Sequence, residues 1–324
     1  MNYALPLTIC LSTLAITANA QTFTGEYTVH VEGGLALPLN SSDASFLVEN
    51  NSAANSPAPW AVTEIIGADA LGFGLGASYA AELTAGLNSG SSLYIRVEGN
   101  SVSADTSFAD GWGGLTAALP GIHDDGYLIE DTWDAVATVS TNTFAASAGI
   151  QTAIANNLSW SVGLMHANAA QDFGLSFDYD PLTPGLITAS GAANNKMTGI
   201  SFGVTYHRAV SDKLSLNIGA DMAALANQYD YSYIYLDGNA SSTPQATADF
   251  SGNSTVVRTD ISALLSYAHR NNISFTSRIG VTIYNNVATG FENTLNPENT
   301  LSVQAPVFSS IVVPYLRAGV SIAF

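Results

Sequence analysis

The chain predicts an all-β fold, a transmembrane antiparallel up-and-down β-barrel of about ten strands, with eight or twelve as neighbouring counts. Three observations predict it. Segments spread along the chain alternate apolar with small or polar residues at a period of two, which puts one set on each face of a strand. Only 10% of the 324 residues are charged and mean hydropathy is +0.20, yet no run approaches the ~20 apolar residues of a spanning helix. Hydrophobicity is therefore distributed by alternation, as a lipid-facing barrel wall requires. Finally, the links between segments alternate short and long, the asymmetry of periplasmic turns and extracellular loops.

The first strand is Tyr27–Leu37, where Tyr27, Val29, Val31, Leu35 and Leu37 oppose Thr28, His30 and Glu32. The second, Leu71–Thr84, sets Leu71, Phe73, Leu75, Ala77, Tyr79, Ala81 and Leu83 against glycines, Ser78 and Glu82. The third is Leu93–Val102. The fourth, Thr143–Ile154, is weakly patterned and meets the fifth, Leu158–Ala167, at Asn156-Asn157. The sixth, Met197–Ala209, and the seventh, from Leu214, meet at Ser211-Asp212-Lys213. The eighth, Val256–Ala268, and the ninth, Ile273–Tyr284, meet at Arg270-Asn271-Asn272, and the tenth is the terminal segment Tyr315–Phe324. These short links carry the Asn, Asp, Gly and Ser residues of tight turns. The other links are long: 38–70, 103–142, 168–196, about 237–255 and 285–306. Trp60–Ile66 is a candidate extra strand. An even strand number places both termini on one side, the periplasmic one.

Residues 1–20 read as a secretory signal peptide, with an apolar stretch and an Ala18-Asn19-Ala20 ending, leaving 21–324 as the barrel. The sole cysteine, Cys10, lies in that leader, so no disulfide framework is expected. In the last strand Leu316, Ala318, Val320, Ile322 and Phe324 share one face, and Arg317, Gly319 and Ser321 the other. This terminal pattern resembles the C-terminal assembly signal of Gram-negative outer-membrane barrels. The resemblance implies a bacterial outer-membrane location with extracellular loops, and contacts with membrane lipid and with the barrel-assembly machinery.

The formal net charge of −18 disfavours nucleic acid as a partner. Four of the eight basic residues, Arg96, Arg258, Arg278 and Arg317, fall mid-strand on the polar parity. Glu32, Glu82, Glu98, Asp221 and Asp260 share it. Removing charge from water is costly unless it is paired, so Arg–carboxylate contacts across the lumen are expected. They read either as an ion-pair network that rigidifies a narrow barrel or as the constriction of a pore for small solutes or ions. Legionella-type pore-forming outer-membrane proteins are similar in barrel architecture.

No catalytic residue, metal site or cofactor is predicted. His123-Asp124-Asp125 with Glu130, Asp131 and Asp134 resembles the acidic extracellular loops of the omptin surface proteases, but the fourth long loop has Asp237 and Asp249 without a histidine. His166, on the outward parity, is a poor echo of the outer-membrane phospholipase class. The acid-only segment 103–134 suits Ca²⁺ in donor chemistry, yet its spacing matches no EF-hand and reads as solvated charge. Tyr229, Tyr231, Tyr233 and Tyr235 stand at every second position. Their common face reads as a recognition surface for glycan or protein, an aromatic girdle, or packing against Phe250. Either they face the lumen mouth, or a bulge near Ala226–Gln228 switches the register. Function thus divides between a narrow pore or structural barrel and a surface adhesin, and the oligomeric state is open.

Overall fold

The computed structural model describes residues 23–37, 46–50, 62–66, 76–87, 90–110, 115–117, 128–129, 133–178, 186–237, 246–295 and 301–324. Ten antiparallel strands close a barrel. They are β1 (Phe23–Ala36), β2 (Gly76–Leu87), β3 (Ser91–Asp110), β4 (Trp133–Ala155), β5 (Leu158–Asp178), β6 (Leu186–Ala209), β7 (Leu214–Asp237), β8 (Ala246–Arg270), β9 (Ile273–Leu295) and β10 (Leu301–Ala323). Each strand pairs with its sequence neighbours, and β1 closes the ring against β10 through a register running from Thr28↔Ala323 to Ala36↔Tyr315. Closure pairs the strand edges around the lower part of the ring, which lipid demands because it offers no hydrogen bonds.

The alternation seen in the sequence becomes inside and outside. Val31, Leu35, Leu83, Ile95, Ile200, Phe202, Ile218, Ile261, Phe275, Ile279 and Leu316 are exposed on the outer wall, while Glu32, Glu98, Arg258, Asp260 and Arg317 on the opposite parity are buried. In the last strand Leu316, Ala318 and Phe324 are exposed and Val320 and Ile322 half-buried on the outer face. In water this apolar belt would be a liability; in a bilayer it is the solvated surface.

The described residues of the long connections are strand, where the sequence reading expected links. Residues 168–178 and 186–196 extend β5 and β6, and Asn227–Asp237 with Ala246–Thr255 extend β7 and β8. In the same way Asn285–Leu295 and Leu301–Pro306 extend β9 and β10, and 103–110 with 133–142 extend β3 and β4. From β4 onward the strands are 21–25 residues long, about twice the ~9–11 that cross a bilayer. The second strand also differs: it is described from Gly76, and Leu71–Leu75 lie outside the described residues. Val62–Ile66 is a strand, though not of the barrel. It joins Phe46–Asn50, Leu115–Ala117 and Leu128–Ile129 in a separate four-stranded sheet, so the first and second long connections pair with one another. The signal segment and residues 121–127 lie outside the described residues.

In its upper part β9, still paired with β10, parts from β8. The β8–β9 ladder ends at Val257↔Asn285, although β8 runs on to Ala246 and β9 to Leu295. At that point Asn286 adopts φ 65°, and the β9–β10 register shifts there and twice more above it. Left-handed backbone is unfavourable for a side-chain-bearing residue, with asparagine among the most tolerant, so Asn286 suits this bend. Beyond it Val287, Ala288 and Thr289 are all buried, and Ala288 meets β6 across the barrel.

Candidate functional site: a layered lumen

The nine charged residues expected in the lumen meet there. Arg258 reaches Glu98 across the barrel, donating from Nη2 to Oε1, and its Nη2 lies 3.9 Å from Asp260 Oδ2. Glu98 also receives Arg317, whose Nη1 is 3.4 Å from Oε2, while Arg317 Nε donates to Ser78 Oγ at 2.6 Å. Arg96 Nε donates to Glu82 at 2.6 Å, and its Nη1 is 3.4 Å from Asp221. Arg278 Nε straddles the two Glu32 oxygens at 3.1 and 2.9 Å, with His30 Nε2 2.8 Å from Oε1. Asp260 accepts from Thr282 Oγ1 at 2.6 Å and from the Tyr315 hydroxyl at 3.1 Å. Four guanidiniums thus face five carboxyls in one layer, as three clusters centred on Arg96, on Arg258 with Arg317, and on Arg278. Gly203 and Gly280 matter here, since a Cβ at either would overlap Asp221 or the Tyr315 ring.

Above this layer, away from the tight turns, the inward parity turns apolar. Met165, Met197, Leu225, Val256, Ile311 and Val313 are 0–6% exposed and belong to one packed cluster. The spacing along β7 shows the change: Asp221 is followed on the same face by Ala223 and Leu225. Amides come next. Asn195 donates from Nδ2 to the Ala288 carbonyl at 2.8 Å and accepts from the Ala288 N–H at 2.9 Å. Asn227 Nδ2 donates to Asn195 Oδ1 at 2.9 Å and to Ser254 Oγ at 3.0 Å. An asparagine amide carries a donor and an acceptor in the same arrangement as a peptide group, so Asn195 supplies the ladder partner that β8 no longer offers to Ala288.

The tyrosines form the uppermost layer. No register shift occurs in β7 from Leu225 to Tyr233, so the proposed bulge is absent and the lumen-mouth alternative holds. Tyr231 and Tyr233 are 2% and 1% exposed, and Tyr231 stacks on Phe173 at 5.9 Å between centroids and leans on Phe250 at 6.1 Å. A free recognition face at Tyr231 and Tyr233 is therefore corrected to interior packing: continuous β7 parity points them inward. Tyr229 is half-buried against Phe308, with centroids 5.1 Å apart. The Tyr235 side chain lies outside the described residues, as do His123, Asp124, Asp125, Glu130 and Asp131. Asp249 is exposed, and His166 on the outer wall contacts Thr198 Oγ1 at 3.0 Å.

At the turn end, a row missed in the sequence crosses four strands. Gln151 Nε2 donates to Ser159 Oγ at 3.0 Å, Ser159 Oγ is 2.9 Å from His207 Nε2, and His207 Nδ1 is 2.9 Å from Asn217 Oδ1. Each is an unremarkable polar residue on an inward parity, and only the registers of β4 to β7 bring them together.

A closed antiparallel barrel with an apolar outer belt and inward charges defines a membrane-spanning β-barrel protein. No protein-family model matches the chain, and no curated protein does. Among solved structures it is similar to the outer membrane protease OmpT from Escherichia coli, with 11% identity, 94% of this chain and 98% of that one covered, and a TM-score of 0.49. It is also similar to the translocator domain of autotransporter NalP from Neisseria meningitidis, at 7% identity, 98% and 96% coverage and a TM-score of 0.40. The P. putida toluene transporter TodX follows at 10% identity, 92% and 89% coverage and 0.31. At these values the likeness is one of barrel architecture.

Proposed function

We propose that the chain is a closed structural barrel of the bacterial outer membrane, with its tight turns and both termini periplasmic, rather than an open pore. The packed apolar layer of Met165, Met197, Leu225, Val256, Ile311 and Val313 directly above the ion-pair layer carries this reading. An ion crossing the lumen would pass through a dry hydrophobic stratum, and stripping charge of its water there is prohibitive. Residues Leu316, Ala318, Val320, Ile322 and Phe324 serve as the outward-facing assembly strand, meeting outer-membrane lipid and the barrel-assembly machinery. What the barrel offers its surroundings is its projecting upper wall, whose outer face carries exposed Asp172, Lys196, Gln228, Asp230 and Asn253. That polar wall favours a second reading, surface recognition, seated on the outer wall and loops and not on the Tyr231–Tyr233 face. Purified barrel reconstituted in planar bilayers tests the first reading. The expected record is a silent membrane, and steady single-channel conductance overturns it.

A further inference from the structure

Going beyond the structural role, we propose that Ser159, His207 and Asn217 form an acyl-transfer site at the turn-end mouth of the lumen, hydrolysing small neutral carboxylic esters. Nucleophile, base and orienting group must be linked by two hydrogen bonds in order, and here both are 2.9 Å. The register explains how strands supply this. His207 lies directly opposite Asn217, Ser159 lies opposite Thr205, and Gln151 lies opposite Ser161. The row is thus a diagonal of inward side chains on adjacent tilted strands, within reach of one another at two-residue offsets.

Proton positions follow from the partners. Asn217 presents its carbonyl oxygen to Nδ1, so Nδ1 carries the hydrogen and Nε2 its lone pair. Ser159 then donates to Nε2, the arrangement in which a serine is activated. Gln151 donates from Nε2 to Ser159 Oγ at 3.0 Å, which leaves the serine's own proton to point at His207 Nε2. Ser159 Oγ bonds to the ester carbonyl carbon while its proton passes to His207 Nε2, and Asn217 Oδ1 holds the imidazolium. Collapse of the tetrahedral adduct breaks the acyl C–O bond, and the leaving alkoxide takes the proton from Nε2. Water, giving a proton to the same Nε2, then attacks the acyl-serine, releasing the acid and restoring Ser159.

Position sets the substrate. Ser159 is the second residue of β5 after the turn and is 4% exposed, with half-buried His207 and Asn217 on its solvent side at that end. Deeper in, the ion-pair layer blocks the lumen, so long acyl chains have no room. The nearest charges above are Asp221 and Glu82 against Arg96 alone, an excess of negative charge that repels anionic esters.

The test is labelling of the purified, folded full barrel with a fluorophosphonate, mapping the adduct by mass spectrometry, alongside 4-nitrophenyl acetate hydrolysis. Mobility on unboiled gels reports folding of each variant. We expect an adduct on Ser159 in the wild type, none in Ser159→Ala, and labelling slowed by about 10²-fold or more in folded His207→Gln. A purely structural serine would shift mobility or stability without ever taking an adduct. No adduct on Ser159 in the folded wild type, which requires no variant to fold, or equal labelling in folded His207→Gln, overturns the proposal.

Discussion

Asn195 holds Ala288 by both of its peptide groups' hydrogen-bonding atoms, at 2.8 and 2.9 Å, although β7 and β8 stand between their strands. This side-chain clasp ties the inward-bent arm of β9 to β6 where the ladder with β8 has ended, while pairing with β10 continues. Asn195→Ala should leave a buried N–H and C=O without partners, at a cost on the order of 2–4 kcal/mol. Hydrogen exchange should localise the loss, with residues 286–294 exchanging faster and the lower strands unchanged. Uniform exchange across both regions would show that the clasp does not hold the arm.

Arg258 joins Glu98 and Asp260 from a position only 2% exposed. Arg258→Ala removes the cation, strands Asp260 and leaves Glu98 with Arg317 alone, so destabilisation of about 3–5 kcal/mol is expected. The urea midpoint of the refolded barrel measures it. A midpoint equal to that of wild type would mean that the ion layer adds nothing to stability.

Leu225 sits fully buried in the apolar layer. Leu225→Ala should cost about 2–5 kcal/mol through lost burial and the cavity left behind. Bilayers carrying this variant should stay silent, because the ion-pair layer below it is intact. Conductance appearing in Leu225→Ala alone would identify that one side chain as the seal.

The outer wall divides by height. Ile279 is 63% exposed within the apolar belt, whereas exposed Gln228 lies among polar neighbours on the upper wall. A lysine in the lipid-facing band costs about 2–4 kcal/mol near the bilayer midplane and little beyond it. Ile279→Lys should therefore lower folding efficiency into lipid vesicles, and Gln228→Lys should leave it unchanged. Equal effects would move the membrane boundary up to Gln228.

Strand alternation was legible wherever lipid selected it. In β1 and at the end of β10, apolar side chains outside and polar ones inside follow from a period of two, and closure with β1 needs only an even count of such strands. The upper halves were illegible for the converse reason. Thr188–Lys196 reads Thr-Ala-Ser-Gly-Ala-Ala-Asn-Asn-Lys, with no apolar parity, because beyond the bilayer neither face is chosen by lipid. It is strand all the same, held by an unbroken ladder from Ile187↔Asp237 to Ala209↔Ser215.

By itself, then, the sequence determined which face of each membrane strand is outermost and which charges turn inward, since both depend on local parity and on the cost of charge in lipid. Only the tertiary structure decided what those inward faces meet. Glu98 selects Arg258 and Arg317, Leu225 and Met197 pack into one apolar layer, and Ser159 finds His207 and Asn217. These contacts join strands far apart in the chain, and they are set by barrel closure and register, which no local pattern encodes.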